Sequence, residues 1–421
     1  MQLLLSYQED TDRILEIIKS FQINSEEFKN DIEIAFKVFI SENTDKTFIE
    51  KLTNIVSTKE IKWSKVNGAF LPKQIRYFIN LEILDLSQCQ LEILPDEIGE
   101  LAKLKKLDLS NNQLISLPST IGKLTQLSTL ILTSNKIREL PAEIGNLSAL
   151  NYLIANKNEL YALPSEIGKL SNLMQLYLKE NRLSSLPASI GDLRELTFLD
   201  LFFNQIQSFP VEVCKLSNLT DLDLSYNRIA SLPQEIGDLR NLLELNLSEN
   251  QLESLPKEIS KCKNLTGLYL RQNNIQLLPP EIGKLTNITS LQLKQNNLSS
   301  IPSQIAHLKR LEYLNLSDNQ FSVFPLEICY LKNLDRLEFD NNKLQFIPSE
   351  ISNLRKLEGL SVYGNQLINL PPEVSNLKRL DMVSLDNNLI SEKDKPSIRA
   401  LFPKKCSVFF DLEDEYDLEE E

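Results

Sequence analysis

Histidine is nearly absent: His307 is the only one in 421 residues. One imidazole cannot build a multi-histidine metal site. Cysteine is scarce and scattered. Cys89, Cys214, Cys262, Cys329 and Cys406 form no CxxC pair and are odd in number. That spacing argues against a zinc site or a disulfide framework and for reduced, core-filling thiols. Long apolar runs are missing, none approaching the roughly 20 residues of a membrane span, so no membrane insertion is expected. GxxxxGK[ST] and GxGxxG are absent, which removes the common phosphate cradles. Positive charge is short: 45 Lys and Arg stand against 58 Asp and Glu, a net charge of −13. Such a chain repels phosphate backbones, and no nucleic-acid partner is expected. The opening MQLLLSYQEDTDR has neither the basic n-region nor the apolar length of a secretory signal. With the unpaired cysteines, this leads to the expectation of a cytoplasmic protein.

What is present is a phrase. LPSEIGKLSNLMQLYLKENRL (163–183) returns almost unchanged as LPQEIGDLRNLLELNLSENQL (232–252). Written as LxxLxLxxNxLxxLPxxIxxLxx, the unit starts at Leu81 and recurs every 23 residues to Leu380, with Ile288 the only non-Leu start. Ile61, Trp63, Leu71, Pro72, Ile75 and Phe78 mark a degenerate unit in the same phase. In LxL the side chains alternate, so both leucines face inward and their neighbours outward. One short strand per unit, stacked at about 4.8 Å, gives a parallel sheet roughly 65 Å long over the full units. Repeat arrays of this kind pack each unit only on its neighbours.

Two columns of the phrase could carry chemistry. Asparagine recurs at Asn112, Asn135, Asn158, Asn181, Asn204, Asn227, Asn250, Asn273, Asn296, Asn319, Asn342, Asn365 and Asn388, with Cys89 at its head. A buried amide there has two donors and an acceptor for backbone groups of its own and the adjoining coil, and a row of unsatisfied ones would be costly. The column reads as a structural ladder. The Glu of LPxEI, from Glu97 to Glu373, falls in the first turn after proline, where backbone dipoles favour a negative charge. A catalytic acid has no reason to recur along a ridge. The repeated phrase is therefore architecture.

The phrase LPxEIGxLxxLxxLxLxxNxL resembles the leucine-rich-repeat family, most closely its 23-residue Ras-suppressor-like class, which includes leptospiral bacterial sets. The resemblance covers roughly residues 58–402. It implies an α/β repeat solenoid: a curved horseshoe with a parallel sheet on the concave face and short helical or 3-10 turns on the convex side. It also implies a non-catalytic protein-binding scaffold, with a role in signalling. No cofactor and no metal are expected. A nucleophilic pair would need His307 beside Cys329, one repeat away, and no further feature supports it. The runner-up reading is a structural or self-associating spacer.

The ends do not repeat. Residues 1–57 carry three apolar stripes at helical spacing (Ile14–Phe21, Phe28–Phe39 and Phe48–Ile55), expected to form a helical cap for the open end of the 58–390 array. Residues 391–410 read as a short helix and a β-like run that close the last coil. Residues 411–421, DLEDEYDLEEE, read as a solvated acidic tail.

Function in such a family lies in what varies. The outward strand positions are mostly polar: Lys106, Asp108, Ser110 and Asn111 in one unit, Ser290, Gln292, Lys294 and Gln295 in another. The fourth to seventh units depart from this. They present Tyr152 and Ile154, then Tyr177 with Lys179, then Phe198, Asp200, Phe202 and Phe203, then Tyr226. Exposed aromatic residues rimmed by charge are the composition of a binding hot spot. The competing reading is cross-strand packing that stabilises the sheet. Tyr269, Tyr313 and Tyr363 stand alone. The expectation is one protein partner of unknown identity on the concave face, held by a monomer.

Overall fold

The structure, a computed structural model, describes residues 57–64, 71 and 73–410. The apolar stripes expected of an N-terminal cap and the acidic tail lie outside the described residues. The chain divides into two compact units at Phe198/Leu199.

The first unit carries β1 (Glu60–Lys62), β2 (Ile83–Asp85), β3 (Lys106–Asp108), β4 (Thr129–Ile131), β5 (Tyr152–Ile154) and β6 (Gln175–Tyr177). Strand β7 (Phe198–Asp200) carries the junction. The second unit carries β8 (Asp221–Asp223), β9 (Glu244–Asn246), β10 (Gly267–Tyr269), β11 (Ser290–Gln292), β12 (Tyr313–Asn315), β13 (Arg336–Glu338), β14 (Gly359–Ser361), β15 (Met382–Ser384) and β16 (Ser407–Phe409). Within each unit consecutive strands pair in parallel. The register offset through the repeats is 23 residues, as in Leu84↔Leu107 and Leu245↔Leu268. Equal repeat positions therefore sit side by side, and each letter of the phrase becomes a column. A short helix α1 (Lys395–Arg399) leads into β16, which pairs with β15. Both units show the leucine-rich-repeat solenoid build, with parallel strands on one side and 3-10 turns on the other.

The inward columns are dry. Leu107, Leu109, Leu222 and Leu245 are at most 2% exposed, and Ile144, Ile236 and Ile282 on the return side are fully buried. The return turns are 3-10 segments of five residues, such as Ala142–Asn146. The proline of LP stands just before the turn: Pro141, with φ −66° and ψ 150°, precedes it, and its carbonyl accepts from Ile144 N at 3.0 Å. Its fixed φ suits the extended entry, and the Glu two residues on still lies in the first turn. Glycine of IGxL is a close-approach position. A Cβ on Gly145 or Gly283 would collide with the backbone carbonyl of the following turn. Cys214 and Cys329 replace it in two turns, whose entering prolines take ψ of 96° (Pro210) and 113° (Pro325). Both turns also substitute Phe for Leu before proline, and Phe209 and Phe324 are buried.

The asparagine side chains join neighbouring coils. Asn250 Nδ2 donates to Leu224 O in the preceding coil (2.9 Å) and to Leu247 O in its own (3.1 Å), while its Oδ1 accepts from Ile229 N (2.9 Å). Asn135 repeats this with Leu109 O, Leu132 O and Leu114 N. Asn112 adds Cys89 N at 3.0 Å, and the Cys89 thiol donates to Trp63 O. The residue before the asparagine is left-handed in unit after unit, with φ of 56° at Asn111, 57° at Glu249 and 63° at Gly364.

Removing one rung strands several buried backbone groups, each costing about 1–3 kcal/mol. Asn250→Ala is expected to lower stability by more than about 2 kcal/mol, read as a fall in the urea midpoint. The exposed neighbour Gln251→Ala should change it by less than about 0.5 kcal/mol.

Candidate functional site

The residues expected to bind a partner fall into two groups, one in each unit. In the first unit, Tyr152 and Ile154 lie in register with Gln175 and Tyr177. All four are half-buried on the outward face of the sheet. The Tyr177 ring packs on Phe198 with centroids 4.8 Å apart, and its hydroxyl donates to Gln175 Oε1 at 2.8 Å. Lys179 donates its backbone N–H to Asn156 Oδ1, and its ammonium lies 3.6 Å from Glu180. This group is tied down by cross-strand contacts of its own.

In the second unit, Phe202, Phe203 and Tyr226 pack as three rings. Phe202 meets Tyr226 edge-on at 5.0 Å, and Phe203 stands 6.0 Å from each of the other two. Asp200 Oδ1 accepts from Phe202 N at 2.9 Å, which fixes the bend that presents them. Phe203 is 54% exposed and Tyr226 41%. Both occupy the left-handed column, at φ 53° and 55°. Bulky side chains rarely adopt that conformation. Other positions in the column hold Asn111, Ser134, Glu249, Asp318 and Gly364, residues with no comparable apolar surface. Residues held in sparsely populated backbone regions cluster at functional sites.

The strands beside these rings carry charge. Asp221 and Glu244 are register neighbours on β8 and β9. Asp223 accepts from Ser225 N, Ser225 Oγ and Asn246 Nδ2. Glu244 Oε1 accepts from Thr266 Oγ1 at 2.6 Å. Its other oxygen is buried against β10, in space left open by Gly267, beside the Tyr269 hydroxyl but without a well-aligned hydrogen bond. Burial, and then the Glu244 carboxylate, push the Tyr269 phenol up to about 12. Glu244 was not singled out from sequence. Counting 23 residues from Asp221 would have placed it beside that carboxylate.

Farther along, an open hollow of about 470 Å³ is lined by Tyr313, Asp335, Arg336, Glu358, Gly359, Asp381 and Met382. Of its carboxylates, Glu358 lies 3.8 Å from Arg379. Half-buried Asp340 accepts from Ser361 Oγ and Tyr363 N, and desolvation raises its pKa. His307 is exposed on the return side. No group of three or more potential metal ligands occurs among the described residues.

Comparison with known proteins follows this geometry. The model "Leucine-rich repeat region" matches residues 129–222 and 211–295, and "Leucine Rich Repeat" matches 80–101, 103–124 and 310–331. A leucine-rich-repeat protein of Leptospira interrogans is similar at 36% identity and TM-score 0.78, over 88% of this chain and 100% of that one. The chain belongs to the leucine-rich-repeat family. Its architecture is that of the non-catalytic solenoids of this family. Also similar is the leucine-rich-repeat ectodomain of the Arabidopsis thaliana membrane receptor kinase GASSHO1/SCHENGEN3, solved with Casparian strip integrity factor 2. It shows 30% identity and TM-score 0.62, over 86% of this chain and 49% of that one. The Arabidopsis receptor kinase HAESA, solved with the peptide hormone IDA and a co-receptor, shows 29% identity and TM-score 0.51, over 86% and 72%. No curated protein matches the chain.

These matches correct the cytoplasmic expectation. The solved structures that the chain resembles include receptor ectodomains rather than cytoplasmic proteins. The expectation rested on the lack of a leader pattern and of paired cysteines, and neither locates a protein. Cys262 is fully buried, so its thiol is shielded by packing in any compartment.

Burial pushes the thiols of Cys214, Cys262 and Cys329 up to about 12. They should resist a thiol reagent at pH 8 in the native protein and react once urea unfolds it. Unfolded thiols ionise near pH 8.5. Because the folded values are raised, stability is full below that pH and is lost as pH rises toward 12. A melting temperature that falls over that window, and falls less in a Cys262→Leu variant, checks the sign.

Proposed function

We propose that this protein is a binding scaffold that holds a protein partner on its strand face, anchored in the second unit by Phe202, Phe203 and Tyr226 with Asp200 at their base. Tyr152, Ile154, Tyr177, Lys179 and Phe198 form the corresponding surface of the first unit. The observation that carries the reading is the pair of exposed aromatic rings on left-handed backbone, at a position where the fold itself asks for a small or polar residue. Aromatic anchors dominate the energetics of protein interfaces. The receptor kinases to which the chain is similar are solved with peptide ligands, which supports a peptide or protein as the ligand class. The role assigned to such a scaffold is to bring its partner into a signalling assembly.

The backbone strain makes binding and stability separable. Phe203→Asn combined with Tyr226→Asn places residues that tolerate positive φ at both positions. The double variant is expected to keep or raise its melting temperature. It should lose partner capture from source-organism lysate, with affinity falling by about 2 kcal/mol or more once the partner is in hand. Equal capture by wild type and variant would remove the patch from consideration. A large loss of stability would mean that the rings serve packing.

A further inference from the structure

We infer that the segment recognised at the Phe202–Phe203–Tyr226 surface is cationic, presenting an arginine or lysine side chain to the rings and to Asp221, Asp223 and Glu244. This rests on the proposed binding surface and names the chemistry of its occupant.

Three observations within the second unit carry it. The first is negative charge without a counter-charge. Asp221 and Glu244 are register neighbours on adjacent parallel strands, about 4.8 Å apart at the backbone. Neither carboxylate, nor Asp223, has a Lys or Arg within ion-pair distance among the described residues. Elsewhere on this face opposite charges do meet: Arg271 lies 3.8 Å from Glu249 and Lys294 3.3 Å from Asp318.

The second observation is a carboxylate screened by water only in part. Glu244 Oε2 lies shielded from solvent in the space that Gly267 clears, beside the Tyr269 hydroxyl. A charge with little water around it feels a nearby positive charge more strongly than one in bulk solvent.

The third is the rings. An aromatic face attracts a guanidinium or ammonium within about 6 Å of its centroid. Tyr226 and Phe203 are the most exposed aromatic side chains on this part of the face. Carboxylates alone would serve any counter-ion, and rings alone any apolar group. Together they favour a segment whose side chains combine a flat apolar stem with a charged end, which arginine satisfies best. A neutral apolar segment would desolvate three carboxylates without supplying a counter-charge, and an anionic one would be repelled.

The test uses the full chain and labelled hexa-arginine amide, followed by fluorescence anisotropy at about 100 mM salt, where surface charges beyond about 10 Å are screened. Asp221→Asn with Glu244→Gln is compared with Glu258→Gln with Glu281→Gln, which removes the same charge from the return side. The first pair is expected to weaken binding by about tenfold or more and the control pair by less than about twofold. Phe203→Asn with Tyr226→Asn should weaken it by about threefold or more. Equal weakening by the two charge pairs would assign the attraction to net charge and overturn the inference. So would binding unchanged by Asp221→Asn with Glu244→Gln. Capture of the natural partner separates this inference from the surface itself. A partner lost by the ring variant but retained by the carboxylate variant would uphold the surface and overturn a cationic occupant.

Discussion

The asparagine amide that bridges two coils is the interaction on which the rest of this structure depends. Strands of three residues leave much of each coil's backbone without sheet partners, and those groups lie at the edge of a dry core. Asn250 closes the gap by bonding Leu224 O, Leu247 O and Ile229 N at once. Its partners lie 26, 3 and 21 residues back in the chain. Those intervals exist only if every coil has the same length, so a single insertion would aim the amide at the wrong carbonyl. The unbroken 23-residue interval from Leu81 to Leu380 follows from this geometry.

The ladder has a consequence for function. To turn asparagine inward, the preceding residue takes a left-handed conformation and points outward, coil after coil. The fold thus creates an exposed column whose local preference is for Asn, Asp or Gly. Phe203 and Tyr226 go against that preference. Natural sequences tend to agree across local and global levels, and departures from that agreement are found at functional or strained positions. The strands that follow carry Asp221 and Glu244 in register, with no Lys or Arg at ion-pair distance from either among the described residues.

Much of the fold was legible because its signals are periodic and short-ranged. Leu107 and Leu109 face inward because strand side chains alternate, and the rung asparagines lie where a backbone-satisfying amide is required. Details smaller than the period were harder to read. Pro141 stands one residue ahead of its turn, since its carbonyl rather than its ring position opens the 3-10 segment. Cys214 and Cys329 stand visibly in the glycine column, but the altered ψ of Pro210 and Pro325 in the same turns is not written there. The cytoplasmic expectation failed because it was built on absences.

The aromatic residues stood out as exceptions in a repetitive text, so the sequence alone determined which positions depart from architecture. It also determined which residues share a column, because one number, 23, sets the register. Tertiary structure decided how those side chains meet. Tyr177 turns its hydroxyl back to Gln175 and packs on Phe198, whereas Phe203 and Tyr226 are held outward by their backbone. It also decided that Glu244 settles into the space over Gly267 with one oxygen shielded from solvent. Rotamers and burial of this kind depend on what the neighbouring coil presents, a contact between residues some 23 positions apart that no local pattern encodes.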